Sequence, residues 1–387
     1  MITTYNDLTQ HALVYLGLDV SSQGSEVAAI AVREAYRTLT AEHRWLYYMS
    51  RARLNSFTPY MTGTIAYDQT GGAQERMATL TGGTWPDWTR GAFLSIANVP
   101  YEVAERVSDS VLTLTPQSNP GADVAALTTF LLYRDTYTMP PDFLAADEVI
   151  NLNHMIALQY LHPRSWISQN RIIRAPATPR NYTFTGSPDE FGAMSIRFYP
   201  PPDQAYQFDL LMYRKPRPMN LVRHPDAPGE GGSVSITSGG STVTGTGTAF
   251  TQAMVGAIMR FGAVQEEPTA FWGLSPAVLE RTIMSVASAT SLEVDALAPS
   301  TLAGVRYLIS DPIDMEEGAM RTALLREIEL QARIMRRIKA TPEEMQAHRE
   351  SLLGALEADS RSMSRRAAGD QTAARYRLRD FPYTWNS

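Results

Sequence analysis

Apolar residues recur at helical spacing at both ends of this chain and at strand spacing through much of its middle. Near the start, Leu8, Ala12 and Tyr15/Leu16 share one face. Thr4, with Asp7 three residues on, makes a variant capping box, and Gly17 ends the run. A second helix opens at Ser22 or Ser25 and carries Val27, Ala31, Ala35 and Leu39 up to His43-Arg44-Trp45. The pattern then breaks into short runs over about 63–137, punctuated by Gly71-Gly72, Gly82-Gly83 and Asn119-Pro120. Pro140-Pro141 suits a first helical turn, and Val149, Leu152, Ile156 and Tyr160 fall on one side of a helix predicted over 143–160. Residues 195–200 and 206–213 alternate apolar and polar positions around a Pro-Pro-Asp turn, which predicts a β-hairpin over 194–214. Strand and turn character returns at 233–311. From 313 to about 358, Met320, Leu324/Leu325, Ile328, Ala332, Met335 and Ile338 form a helical stripe. Thr341-Pro342-Glu343-Glu344 breaks it and opens a new helix with an acidic first turn.

The two strand-rich segments read as one unit used twice. Residues 82–94, GGTWPDWTRGAFL, align without a gap with residues 247–259, GTAFTQAMVGAIM. Gly82 meets Gly247, Trp85 meets Phe250, and Gly91-Ala92 meets Gly256-Ala257. Further on, Val107, Leu112 and Leu114 resemble Val286, Leu292 and Val294. Each copy closes with a late strand, Leu131-Leu132-Tyr133 and Tyr307-Leu308-Ile309. A repeat points to a structural building block more than to a single catalytic centre.

The fold these patterns predict is α+β: a discontinuous helical bundle with a β-hairpin and two inserted small antiparallel β modules. Its parts are N-terminal helices at 1–60, module 1 at 61–139, a helix plus hairpin at 140–230, module 2 at 231–312, C-terminal helices at 313–360, and a basic, aromatic arm at 361–387.

Composition narrows the chemistry. There is no cysteine, so disulfides, thiolate metal sites and a cysteine nucleophile are excluded. A net charge of -6 gives no global reason to bind nucleic acid or an anionic membrane. No apolar run approaches the roughly 18 residues of a membrane span, and MITTYNDLTQ lacks the basic start and apolar stretch of a signal peptide. The expectation is a protein made in a cytosol and used there or carried into a larger assembly.

Candidate catalytic groups are sparse. His11, His43, His154, His162, His224 and His348 form neither HExxH nor an HxH pair, and read as helix-surface or capping histidines. Gly245-Thr246-Gly247 superficially resembles a phosphate-binding loop but sits in a strand–turn pattern with no helix after it. Asp189-Glu190 and Glu266-Glu267 are the open carboxylate pairs. Glycoside hydrolysis needs two carboxylates facing across a cleft, which adjacent loop acids do not by themselves supply. Trp85, Trp88 and Trp272 are candidates to stack on sugars; Trp85 aligns with Phe250 and is expected to pack in a core, while Trp88 and Trp272 stay open between the two uses. No catalytic residue, cofactor or metal is expected.

The tail has a different character. Arg361, Arg365, Arg366, Arg375, Arg377 and Arg379 stand against the single acid Asp370 within 361–379, and Phe381, Pro382, Tyr383 and Trp385 follow. Phosphate contact is one reading of such a segment. Docking on a partner protein is the preferred one, because Arg, Tyr and Trp anchor interfaces and solvated tails are poor in aromatics. The partner-binding candidates are Arg375, Arg377, Arg379, Phe381, Tyr383 and Trp385.

The order of elements resembles the head-to-tail adaptor (connector) proteins of tailed bacteriophages, of podovirus, tail tubular A-like type. The carriers are ALVYLGL, AAIAVREAYRTLTAEHRW, SIRFYPPPDQAYQFDLLMYRKPRPM and GSVSITSGGSTVTGTGTAFTQAMVGAIMRF. The resemblance covers the first 50 residues, 140–215 and 233–311, and includes no invariant motif. It implies a virion neck protein assembled in the host cytoplasm, a ring of about twelve copies between the portal protein and tail hub or nozzle proteins. DNA would pass transiently through its lumen, no membrane would be involved, and the 361–387 arm would reach the portal. Simple adaptors are shorter, and the two β modules are an elaboration. The alternative is a tail-associated receptor- or glycan-binding protein; a glycan-cleaving enzyme ranks third.

Overall fold

The computed structural model describes residues 3–17, 22–69, 75–169, 175–187, 192–224, 231–268 and 277–367. In chain order the elements are α1 (Tyr5–Leu16), α2 (Ser22–Glu42), β1 (Met49–Asn55), β2 (Thr64–Asp68), β3 (Met77–Thr81), β4 (Phe93–Ile96), β5 (Val99–Arg106), β6 (Val111–Leu114), β7 (Val124–Thr128), β8 (Phe130–Tyr133), β9 (Thr136–Thr138), β10 (Phe143–Asn151), β11 (Ile156–Ala157), β12 (Gln159–Tyr160), α3 (Pro163–Gln169), β13 (Asn181–Gly186), β14 (Met194–Tyr199), β15 (Gln207–Arg214), β16 (Ser233–Ile236), β17 (Thr242–Thr246), β18 (Ile258–Phe261), β19 (Leu279–Ser288), β20 (Ser291–Val294), β21 (Leu302–Val305), β22 (Tyr307–Ser310), α4 (Ala319–Met335) and α5 (Pro342–Ala367). This corrects the expected helical bundle with small β inserts. The described residues are mostly β, in four sheets, and the two β modules are the largest sheets rather than appendages.

The chain divides into two compact units, residues 1–47 with 216–387, and residues 48–215. In the first unit, the Thr4–Asp7 capping box starts α1, and Gly17 ends it in the left-handed conformation. Tyr5, Leu8, Ala12 and Leu13 of α1 are buried, as are Ala28, Ala31, Val32 and Ala35 of α2 and Met320, Ala323, Leu324 and Ile328 of α4. The alanines let the helix axes approach closely, while each buried leucine or isoleucine contributes about 1.5–3 kcal/mol. The same unit holds a seven-stranded sheet in the order β21-β16-β17-β20-β19-β18-β22. It closes on its own core, which includes Val243, Phe250, Met259, Phe261, Ile283 and Leu292.

The second unit holds a seven-stranded sheet in the order β7-β2-β3-β6-β5-β4-β8, with the same connectivity strand for strand. The likeness extends to single hydrogen bonds. Gly91 N–H donates to Val103 and Val103 N–H to Ala92; Gly256 does so to Ile283 and Ile283 to Ala257. Val103 faces Leu114 and Ile283 faces Val294, each beside a bulge at the same place. Tyr60 exchanges two backbone bonds with Leu132, as His224 does with Ile309. Gly63 and Gly232 lie against the carbonyls of Thr81 and Thr246, where a methyl group would clash. The open edge strands β7 and β21 are both bulged, with Leu127 (φ 68°) and Gly304 (φ 60°) in the left-handed region.

Two four-stranded sheets, β1-β15-β10-β11 and β12-β13-β14-β9, complete the second unit. Here two expectations fail. The helix expected over 143–160 is the long strand β10 followed by a turn, β11 and β12. Val149 lies in β10, Leu152 in the turn, Ile156 in β11 and Tyr160 in β12, so the helical spacing of these four is spread over three strands and a turn. The expected hairpin over 194–214 is also wrong. Both arms are strands, but β14 pairs with β13 and β9, while β15 pairs with β1 and β10. The Pro-Pro-Asp corner carries the chain from one sheet to the other. Phe198 and Phe208 stack with ring centroids 4.1 Å apart within their shared core.

Candidate functional site

The arm residues Arg375, Arg377, Arg379, Phe381, Tyr383 and Trp385 lie outside the described residues, as do Asp189-Glu190 and Trp272. Glu266-Glu267 is described, and Glu267 forms an ion pair with Arg223. Trp85 is a core residue, edge-on to Phe130 at 5.1 Å. Trp88 is half-buried and stacks on Phe57 at 5.3 Å. Burial pushes the Tyr307 phenol up to about 12, which removes it as a base near neutrality. Among the described residues no group of three His, Asp or Glu is placed to hold a metal ion.

Charged side chains do converge in the first unit, in two places. The first joins α1 to the β module. Arg260 of β18 is almost fully buried and donates to both Asp7 oxygens, at 2.7 and 2.8 Å, and to Glu280 at 3.0 Å. Asp7 thus serves twice, capping α1 and pairing with the sheet. Burial alone would raise the Asp7 carboxyl, but the hydrogen bonds and charge of Arg260 outweigh it and hold it below the usual range. Asn6 N–H donates to Ser310 at 3.0 Å and Tyr5 N–H to the Asp311 carbonyl at 2.8 Å, so the first turn of α1 is tied to β22 as well.

The second place is where α1, α4 and the start of α5 meet around a cavity of about 250 Å³. Tyr15, Arg326, Glu329, Arg333 and Glu344 line it. Arg333 donates to the Tyr15 hydroxyl at 2.8 Å and pairs with Glu344, and Tyr15 donates to Glu344 at 3.1 Å. Arg326 donates to Glu329 at 2.8 Å, and His11 lies 3.5 Å from Glu329. Thr341 and Glu344 form a capping box at the start of α5. Further along α5, His348 pairs with the buried Glu327, and Asp359 takes His43 at 3.0 Å and the Leu46 N–H at 2.9 Å. Three of the six histidines therefore bridge helices to carboxylates rather than simply facing water or capping.

In these two clusters Arg260, Arg326 and Arg333 each face a carboxylate, and Arg333 also orders Tyr15. The carboxylates spend their acceptors on helix caps and cross-helix bonds. The arrangement braces helices against one another and against a sheet. The sequence pointed to Asp7 and Thr341 as caps. The second partner of Asp7, 253 residues away, left no local signal. No protein-family model matches the chain, and no curated protein matches its sequence.

Proposed function

We propose that the protein is a virion structural component: a ring-forming head-to-tail adaptor that joins the portal protein to the tail and helps retain packaged DNA. The observation that supports this most is how the polar chemistry is spent. Each β module fills its own interior, and the charged clusters brace helices instead of presenting a nucleophile or base. Such a subunit gains further stability from its neighbours, and head-to-tail contacts around an axis close a ring. In this reading the partners are the portal above, hub or nozzle proteins below, further copies at the sides, and DNA passing through.

Electron-microscopy class averages of the purified chain, alone and mixed with its portal, test the proposal. Rings of about twelve copies, or rings that need the portal, are expected. Trimers, or monomers indifferent to the portal, overturn it. Removing residues 376–387 should abolish portal binding with the fold intact; unchanged binding by that truncation removes the docking role of the arm.

A further inference from the structure

Helix α5 is fastened differently from the other long helices of its unit. Over 342–361 its only fully covered side chains are Ala355 and Asp359, whereas α4 buries Met320, Ala323, Leu324, Ile328 and Ala332. Met345 and Leu353 of α5 face outward, 55% and 53% exposed. Leu352 and Leu356 are only half-buried beside Ala355, so α5 covers less apolar surface than α4 and leans more on polar contacts. Three of these are spread along its length. Glu344 meets Arg333 and Tyr15, His348 meets Glu327, and Asp359 meets His43 and the Leu46 N–H. Beneath its first turns the cavity of about 250 Å³ replaces close packing.

We infer that α5 is a detachable strap, clasped to the helical layer by charge and released as a unit while the rest of the layer stays folded. Its hold weakens with salt, because the Arg333–Glu344 clasp is partly open to water and screening reaches it. It also depends on pH through His348, which faces Glu327 and Gln331 of α4 and the charge of Glu42 at the end of α2. The Glu327 hydrogen bond raises the His348 value, so the ion pair is complete below the unfolded histidine value and its charge assistance fades as pH rises through the raised one. On the acid side, Glu327 is buried, but His348 and Gln331 still hold it low, and the clasp fails only as pH falls through that lowered value. The strap therefore sits tightest in mildly acidic, low-salt conditions. If the adaptor reading holds, α5 is the element that rearranges when a partner engages the residues after it.

The absence of cysteine gives a direct test on the full chain. Ala355→Cys places a thiol at the covered side of α5, and Ala323→Cys places one in α4 as the control. Labelling by a disulfide reagent is measured for each, relative to the unfolded chain at the same pH. Cys at 355 should label at least about tenfold faster than Cys at 323, faster still in high salt, and faster again with Glu327→Gln added. Equal protection of the two thiols under all conditions overturns the strap, and so does their opening together. Neither result depends on whether rings form, so the strap and the adaptor reading fail separately.

Discussion

The two β modules share strand order, bulges and backbone bonds, yet they differ where each meets its own surroundings. Module 1 has Ser95 on β4, where module 2 has Arg260 on β18. Around Ser95 the neighbouring ring is Phe93, stacked on Tyr133 and covered by Arg197, which also reaches Asp135. Around Arg260 the cover is helix α1, through Asp7. In the interior, Tyr60, Trp85 and Phe130 of module 1 stand where His224, Phe250 and Tyr307 stand in module 2. One scaffold thus accepts two cores and two kinds of attachment. The shared part is backbone geometry and the divergent part is side-chain commitment.

Paired substitutions turn that contrast into measurements, read unit by unit by hydrogen exchange in urea. The largest difference should come from Arg260→Met, which strands the buried Asp7 carboxylate and costs the first unit about 3–5 kcal/mol. Ser95→Ala in module 1 should cost less than about 0.5 kcal/mol. The carboxyl of Asp7 is held low, so its contribution is present above the unfolded aspartate value and lost as pH falls through the lowered one. The Arg260→Met deficit should therefore shrink as pH drops below about 4. A deficit that stays constant with pH would sever Asp7 from the effect.

Gly63→Ala and Gly232→Ala come next. Both push a methyl group into a facing carbonyl, and each should lose about 2 kcal/mol or more in its own unit. A large loss in one module only would mean the shared geometry is less strict than it looks. Trp85→Phe imports the aromatic type found at 250. The Trp85 ring nitrogen finds no acceptor among the described residues, so relief of that buried donor offsets part of the lost packing. A net cost of about 1 kcal/mol is expected, against about 3–5 for Trp85→Ala. Smallest is Leu127→Gly, which imports the residue at 304. Leucine at φ 68° carries strain of about 1–2 kcal/mol, and the extra chain entropy of glycine cancels roughly half of it. A gain of about 0.5 kcal/mol is expected, and a loss would show that Leu127 makes a contact worth more than its strain.

Much of this repeat was legible because it is written in local signals. Gly82, Gly91-Ala92 and their counterparts mark turns whose backbone allows few residue types. Thr4, Asp7 and Thr341 announce helix starts through their own side chains; α1, α2 and most of the stripe of α4 lie where their apolar residues place them, and α5 where its cap does. What failed was non-local. Alternation identifies β14 and β15 as strands but carries nothing about which strand each will pair with. The stripe Val149, Leu152, Ile156 and Tyr160 has helical spacing but runs from β10 through a turn into β11 and β12. The Asp7–Arg260 pair depends on how the whole unit folds, and neither residue type signals it alone. Of the proposed arm at 361–387, residues 361–367 are the end of α5, and the six partner-binding candidates lie outside the described residues.

The bulged edges of the modules have a consequence for the free chain. A seven-stranded sheet with a straight open edge is a template on which other chains can polymerise without limit. On β7 and β21 the extra residues and left-handed backbone at Leu127 and Gly304 spoil the regular ladder of donors and acceptors. At these two edges an incoming strand finds no continuous ladder to extend, so open-ended pairing with other chains is disfavoured there.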